Sequence, residues 1–417
     1  MSKSNDPTQI VVVGGGASGI FAALRAAKCA SDLNRLVNVK VYEASPQLLK
    51  KVKISGGGRC NVTHNQFDVR RLTSSYPRGQ KELISPFQRF QPQDTLKWFA
   101  ERGVKIKAES DGRMFPVTDS SQTIIDCFLA EAKKLRVDLL IQCPVQKITK
   151  KEDKFELVIK GQDTVTADKL LLATGSSQIG YKLVQELGHS ITELAPSLFT
   201  FKIKHPLLAD LAGTSFPSSR LKLKMANEKS FEQVGPILIT HWGLSGPALL
   251  KLSAWAAREM KRQNYQAVLH VSWIGELCEN EVRQQVDELL VANAKSHIGN
   301  VVLRPLSKKF WRRLLEVCEI SSDKKCSELP KKDKNKLIGC LHHSELSVTG
   351  KSRFKDEFVE CGGVDLKEID FRTMQSKICK NLFVTGELLD VDGITGGFNF
   401  QNAWTSAWIA GEAMVSD

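Results

Sequence analysis

Ile10-Val11-Val12-Val13-Gly14-Gly15-Gly16-Ala17-Ser18-Gly19 decides the fold. Four β-branched residues run into a glycine turn, and the turn opens a helix with apolar residues at helical spacing from Ala17 to about Ala30. A second apolar strand, Val37 to Tyr42, then ends on Glu43. Strand, glycine turn, helix, strand and acid, in that order, hold an ADP group. Gly14 permits the tight turn, Gly16 lets the backbone approach a pyrophosphate, and Gly19 lets the helix lie close on the sheet. The helix start offers free N–H groups and the positive end of its dipole to the phosphates. Glu43 accepts hydrogen bonds from the ribose, and its charge disfavours a 2′-phosphate.

Two more apolar strands run into glycine, Lys169–Ala173 into Thr174-Gly175 and Leu382–Val384 into Thr385-Gly386-Glu387. After the last of these, Gly393-Ile394-Thr395-Gly396-Gly397 precedes a helix from about Asn399 to Met414. Such a segment can lie along a ribityl chain and aim N–H groups at the pyrimidine end of a flavin, which a plain NAD domain does not need. FAD is therefore the expected resident cofactor. No second G-x-G-x-x-G occurs, so NAD(P)H is expected only as a transient electron donor.

Between these motifs, Ser55-Gly56-Gly57-Gly58-Arg59-Cys60-Asn61-Val62-Thr63-His64 reads as a loop too glycine-rich to be core. Leu139–Ile141, Val145–Ile148, Phe155–Ile159 and Thr164–Thr166 read as a small antiparallel meander. Alternating segments to about Ile239 suggest an antiparallel β unit. Gly243-Leu244-Ser245-Gly246-Pro247 opens a helix, with Ser245 as a cap and Pro247 at an early position. Residues 276–343 turn helical and lysine-rich.

The 417 residues are 42% hydrophobic and 25% charged, ordinary for a soluble globular protein. No apolar run nears the roughly 18 residues that span a bilayer, and Met1 to Pro7 lacks the apolar core of a secretory signal. Ten cysteines without a C-x-x-C pair point to reduced thiols in a cytoplasmic setting and to no zinc site. Cys340-Leu341-His342-His343 has no partner cluster and reads as loop or surface. The net charge is +13, and residues 301–344, with 11 Lys and Arg against 5 Asp and Glu, carry +6 of it. Such a patch attracts polyanions, nucleic acid above all, unless it is simply a solvated helical face.

The chain resembles the BaiN/RdsA-type NAD(P)/FAD-dependent oxidoreductases over nearly its whole length. The resemblance rests on Val13–Gly19, Lys53–Thr63, Gly112-Arg113-Met114-Phe115-Pro116 and Thr240–Pro247, together with Gly362-Gly363-Val364, Thr373–Lys377 and Gly386–Gly397. Gln375 and Glu360 depart from the family's usual Glu and Thr. The resemblance implies an α/β fold: a Rossmann-like FAD-binding domain of glutathione-reductase type with an inserted β-barrel-like unit and a small helical unit. The expected limits are 1–195 and 345–417 for the discontinuous FAD domain, 196–275 for the barrel-like insert and 276–344 for the basic helical insert. Members of such a family are linked to dihydrouridine formation in ribosomal RNA, to reduction of conjugated 3-oxo bile acids and to aminoacetone oxidation.

Motifs and resemblance together give an expected cofactor cradle of Gly14, Gly15, Gly16, Ala17, Ser18, Gly19, Glu43, Ala44, Arg59, Asn61, Val145, Thr174, Gly175, Gly386, Glu387, Asp392, Gly396, Gly397, Phe398 and Asn399. Cys60 and His241 are the candidate proton donors. Cys60 has no nearby second cysteine for a dithiol relay, so it protonates a carbon acceptor, tunes the flavin, or is a small packed residue. His241 is a proton donor or a hydrogen-bonded structural imidazole. Lys308, Lys309, Arg312, Arg313, Lys331 and Lys332 are the candidate RNA contacts. The expected function is FAD-dependent reduction of a polarised C=C bond, with uridine in ribosomal RNA as substrate. The alternatives are a small-molecule flavoenzyme (enone reductase or amine oxidase) and a flavin-bearing ribosome-assembly factor without catalysis.

Overall fold

The computed structural model describes residues 6–226, 229–352 and 359–416; the outermost expected domain limits, 1 and 417, lie outside them. The chain divides into two units, Met1–Ala195 with Val359–Asp417, and Pro196–Phe358.

In the first unit a seven-stranded sheet has the order Ile369–Asp370, Gln375–Ser376, Leu382–Val384, Lys169–Leu172, Thr8–Val13, Val37–Tyr42, Asp138–Leu140. The last five strands run parallel, with Val12 opposite Val41 on one side and Leu171 on the other. The central strands Thr8–Val13 and Lys169–Leu172 read as apolar runs because both their faces are covered. The Ala17–Asp32 helix covers this sheet and the Phe398–Val415 helix packs against that helix, with Ile20, Phe21, Leu24, Trp404 and Ile409 in the shared apolar core.

Leu139–Ile141 does not start the meander: Asp138–Leu140 joins the parallel sheet beside Val37–Tyr42. The three-stranded antiparallel sheet is Val145–Lys151, Lys154–Ile159 and Val165–Ala167. Alternation identifies a strand but not its partner. The Ser55–His64 segment is also less exposed than its glycines suggest. The helix beginning at Lys50 breaks at Ser55, and residues 60–63 are buried.

In the second unit six strands close a barrel in the order Phe201–Ile203, Gly243–Ser245, Ser230–Thr240, Ser215–Lys224, Ala267–Ser272, Ser344–Lys351. Gly246 rather than Ser245 is the N-cap of the Pro247–Arg262 helix, with Pro247 at its first position. The lysine-rich helices are not a separate body: Phe310, Trp311, Leu314 and Leu337 share one apolar core with barrel residues Phe216, Leu221 and Trp273. The return to the first unit falls at Val359 rather than 345. Ser344–Lys351 pairs with Phe201–Ile203 and Ala267–Ser272 and so completes the barrel.

Candidate cofactor site

The carboxyl ends of four parallel strands deliver Gly14, Glu43, Ala173 and Thr385 to one edge of the sheet, where open α/β sheets bind ligands. Backbone bonds lock the loops together there. Gly14 N–H donates to the Tyr42 carbonyl at 2.9 Å, and Ala173 N–H to the Val13 carbonyl at 2.9 Å. Gly14 has φ +113°, and a Cβ on it would stand 2.4 Å from the Ala173 carbonyl oxygen. Only glycine fits this turn. At Gly19 a Cβ would lie 1.9 Å from the Gly14 carbonyl oxygen, so helix and turn touch directly.

Glu43 is held rather than free. Its carboxylate accepts from Gly15 N–H at 2.7 Å and Ser45 N–H at 2.8 Å, which fixes its oxygens beside the turn. Ala44 is exposed next to it, and Val145 begins a neighbouring strand in the core. Across the turn Ser18 Oγ donates to Thr385 Oγ1 at 2.8 Å, and Gly386 N–H donates to Ser406 Oγ at 3.0 Å. Glu387 pairs with Lys51, whose Nζ also donates to Ser176 Oγ at 3.3 Å. Gly14–Gly19, Glu43, Gly175, Gly386 and Glu387 thus form one rim.

The second rim is the start of the last helix. Its N-cap, Gly397, has φ +92° and abuts Thr63 and Asn61. Asn399 bridges the loop before it, accepting from Gly393 N–H at 2.8 Å and donating to the Gly393 carbonyl at 3.0 Å. His64 stacks on Phe398 with ring centres 4.5 Å apart, and its Nδ1 lies 3.0 Å from the Gly396 carbonyl. Tyr76 OH donates to the Phe398 carbonyl at 2.6 Å. Lys51, His64, Tyr76 and Arg78 were invisible to sequence reasoning, because nothing local marks a residue whose partner lies more than 300 positions away.

Several of the expected contact residues have partners within the chain. Arg59 stacks over Phe115 at 3.9 Å and pairs with Glu109 at 2.7 Å, so its guanidinium clamps its own loop. Asn61 accepts from Met114 N–H at 3.1 Å. Asp392 is fully buried in a two-pronged ion pair with Arg78 and anchors its loop rather than offering a carboxylate to a ribityl chain. Cys60 is likewise buried, and burial pushes its thiol up to about 12. Burial favours the neutral thiol and the reading of Cys60 as a packed residue. Cys60→Ala is therefore expected to keep bound FAD and turnover within about twofold while lowering stability by about 1–2 kcal/mol. A hundredfold loss of turnover in a folded, yellow variant would restore a chemical role to the sulfur. His241 lies in the second unit, exposed between the Ser230–Thr240 and Gly243–Ser245 strands.

His189, Glu368 and Ser376 show triad-like distances, with His189 Nδ1 2.8 Å from Glu368 and Nε2 2.8 Å from Ser376 Oγ. Ser376 is buried, however, and its Oγ already accepts from the N–H groups of Ile378 and Cys379. The trio is a clasp. Among the described residues no group of three His, Cys, Asp or Glu side chains could hold a metal ion, and no helix is long and apolar enough to cross a membrane.

The residues present fit an FAD. Both helices at the rims begin at a glycine N-cap, without a side-chain cap and without an acid in the first turn, leaving their N–H groups available to an anion or a flavin oxygen. A Cβ on Gly16 would meet nothing within 4 Å, so the backbone there borders open space. Asn402, one turn into the last helix and on the same face as Ser406, is 1% exposed with neither amide atom hydrogen bonded. Thr174 Oγ1 at the second glycine junction is buried and unpartnered as well. Buried orphans of this kind mark a polar partner such as a ligand or water.

A family model described as the HI0933-like protein Rossmann domain matches residues 8–413. The chain is 27% identical to a 3-dehydro-bile acid delta(4,6)-reductase of Clostridium scindens, over 97% of this chain and 98% of that protein. It is 29% identical to a ribosomal RNA dihydrouridine synthase of Escherichia coli K12, again over 97% and 98%. A solved 3-ketosteroid-delta4-(5alpha)-dehydrogenase from Rhodococcus jostii RHA1 shares the fold at a TM-score of 0.51 and 11% identity, covering 98% of this chain and 97% of that one.

Proposed function

The chain belongs to the HI0933-like family of Rossmann-domain proteins, and from that premise we propose that it reduces uridine to dihydrouridine in ribosomal RNA. Family and fold make it an FAD-dependent oxidoreductase. Relatives named for a bile-acid reductase and a dihydrouridine synthase support a C=C reductase, since an enone and the C5=C6 bond of uracil are both C=C bonds conjugated to a carbonyl. The observation carrying the cofactor assignment is the pair of uncapped glycine N-termini, Gly16 and Gly397, drawn from opposite ends of the chain.

FAD, when bound, supplies hydride to the β-carbon of the conjugated system, with NAD(P)H as the proposed source of electrons. This chain's residues do the rest. The Gly14–Gly19 turn takes the pyrophosphate, Glu43 the ribose, and the Gly397–Asn399 helix start the pyrimidine edge of the ring. The α-carbon needs a proton, and His241 is the proposed donor because, unlike Cys60, it is exposed. His241→Gln should then lower turnover about 100-fold with the flavin spectrum unchanged.

Ribosomal RNA as partner draws support from Lys308, Lys331 and Lys332, which are exposed and make no ion pair among the described residues. It also implies work in the cytoplasm. A small-molecule substrate is the second reading. It is favoured because the same patch is partly engaged within the chain: Arg313 pairs with Asp210 at 3.3 Å and Glu316 at 3.2 Å, while Lys309 and Arg312 donate to the Asp210 and Gly299 carbonyls.

Two measurements separate these readings. Loss of one dihydrouridine from ribosomal RNA on gene deletion, restored by the wild-type gene, supports the RNA reading; an unchanged nucleoside profile refutes it. Reversing Lys308, Lys331 and Lys332 to Glu should flatten the salt dependence of RNA binding by about three logarithmic units per decade if each meets a phosphate. An unaltered slope removes the patch from the interface.

A further inference from the structure

Three neighbouring strands of the barrel carry a polar cluster that the cofactor site does not use. Strand alternation turns Arg220, Lys222 and Lys224 outward, between the buried Ser219, Leu221 and Leu223. The next strand sets His270 opposite Lys222, and the strand after it sets Glu345 opposite His270. Residues opposed in this way share one face. On His270 lies the exposed ring of His343, the residue that follows the Lys331–His342 helix, with ring centres 4.1 Å apart and planes 23° from parallel. His270 is 6% exposed, and its Nδ1 is buried without a hydrogen bond. Ser272 Oγ, two residues further along the same face, is equally buried and unpartnered. Lys222 meets Glu232 at 2.5 Å and Arg220 meets the same carboxylate at 3.8 Å. Lys224 is exposed and has no ion pair among the described residues. Three cations and two imidazoles thus share two carboxylates, and buried polar atoms lie beside them with nothing in the chain to bind.

We propose that this barrel face is part of the RNA interface and takes a backbone phosphate on Lys224, His270 and His343. The inference rests on the RNA reading above. The helix between the two basic regions has 12 residues and is about 18 Å long, so a few nucleotides span from Lys331 and Lys332 at its start to His343 past its end. Such a contact positions the strand and reads no sequence. It is also linked to pH. In the free protein burial holds both imidazoles below the usual histidine value; His343 and Lys224 add to this at His270, as His342 and Lys224 do at His343, while Glu345 opposes it. Both rings are therefore neutral at pH 7. A phosphate beside them supplies the negative charge that favours imidazolium. Binding then takes up a proton from the solvent, and the gain in affinity is present at low pH and lost as pH rises.

The test titrates the full-length holoenzyme with oligouridylate by calorimetry, in buffers of different ionisation enthalpy, between about pH 8 and about pH 6. Wild type should take up as much as about one proton per RNA bound and gain up to about tenfold in affinity per pH unit. His343→Gln should remove most of that pH dependence. Lys224→Ala should lower the salt slope of binding by about one logarithmic unit per decade. His270→Gln should behave as His343→Gln does; His343 and Lys224 are exposed, so their variants decide the matter even if the buried one does not fold. If His343→Gln and Lys224→Ala bind as wild type at every pH and salt concentration, the face lies outside the interface and the proposal is overturned while the RNA reading stands. If wild type fails to bind oligouridylate under all these conditions, the RNA reading falls and takes this inference with it.

Discussion

Gly16→Val is expected to give a folded protein that no longer retains FAD. The residue sits at φ −84°, ψ −170°, an extended conformation open to any L-residue, and its Cβ would touch nothing within 4 Å. The apo fold should therefore lose no more than about 1 kcal/mol, the scale of a poorer N-cap. The same open space is where a pyrophosphate must approach the backbone, and branched methyl groups there displace it. FAD affinity should fall at least about 100-fold, or about 2.7 kcal/mol. The thermal stabilisation that excess FAD gives the wild type should fall with it, because that gain follows ligand concentration over Kd. The checks are flavin absorbance after desalting and melting curves with and without FAD. A variant that stays yellow, or one whose apo form melts far below wild type, would show that the glycine serves the fold and not the cofactor.

The second large effect lies at Asp392. Its carboxylate is fully buried against Arg78, whose own side chain is only 12% exposed. Removing one member of such a pair leaves a charge stranded in low dielectric, which costs about 3–5 kcal/mol. Asp392→Ala should therefore lower the melting temperature by about 10 °C and loosen FAD through the adjoining Gly393–Phe398 loop. Arg78→Met with Asp392→Leu should recover most of the loss, since apolar replacement of a whole buried pair is often neutral or better. The Lys51–Glu387 pair is the contrast. Lys51 is 53% exposed, so Lys51→Ala should cost less than about 1 kcal/mol. Equal losses at the two sites would mean that burial does not set their strength.

The parts of this molecule that sequence makes legible are those whose logic is local. The Gly14–Gly19 turn, its strands and Glu43 fall within 37 consecutive residues (7–43), and the Gly19–Gly14 and Glu43–Gly15 contacts lie inside that window, although Gly14 is also forced by Ala173 outside it. What sequence conceals is long-range pairing. Arg78 meets Asp392 across 314 positions and His64 meets Gly396 across 332, so Asp392 reads as a cofactor ligand until its partner is seen. Composition also misleads in both directions. Glycines around Cys60 suggest exposure, yet the aromatic and apolar core encloses the sulfur. Lysines after residue 276 suggest a free-standing helical body, yet the alternating strand Ser344–Lys351 returns that segment to the barrel. Asn402 sits in the sequence among other polar residues of its helix, Asn399, Gln401 and Ser406, and no local rule says that it alone lacks a partner.

The two glycine N-caps that frame the cofactor lie 381 positions apart, at residues 16 and 397, so neither half of the chain carries both. Fragments severed between them should each stay colourless and turn yellow only when they reassociate around the flavin.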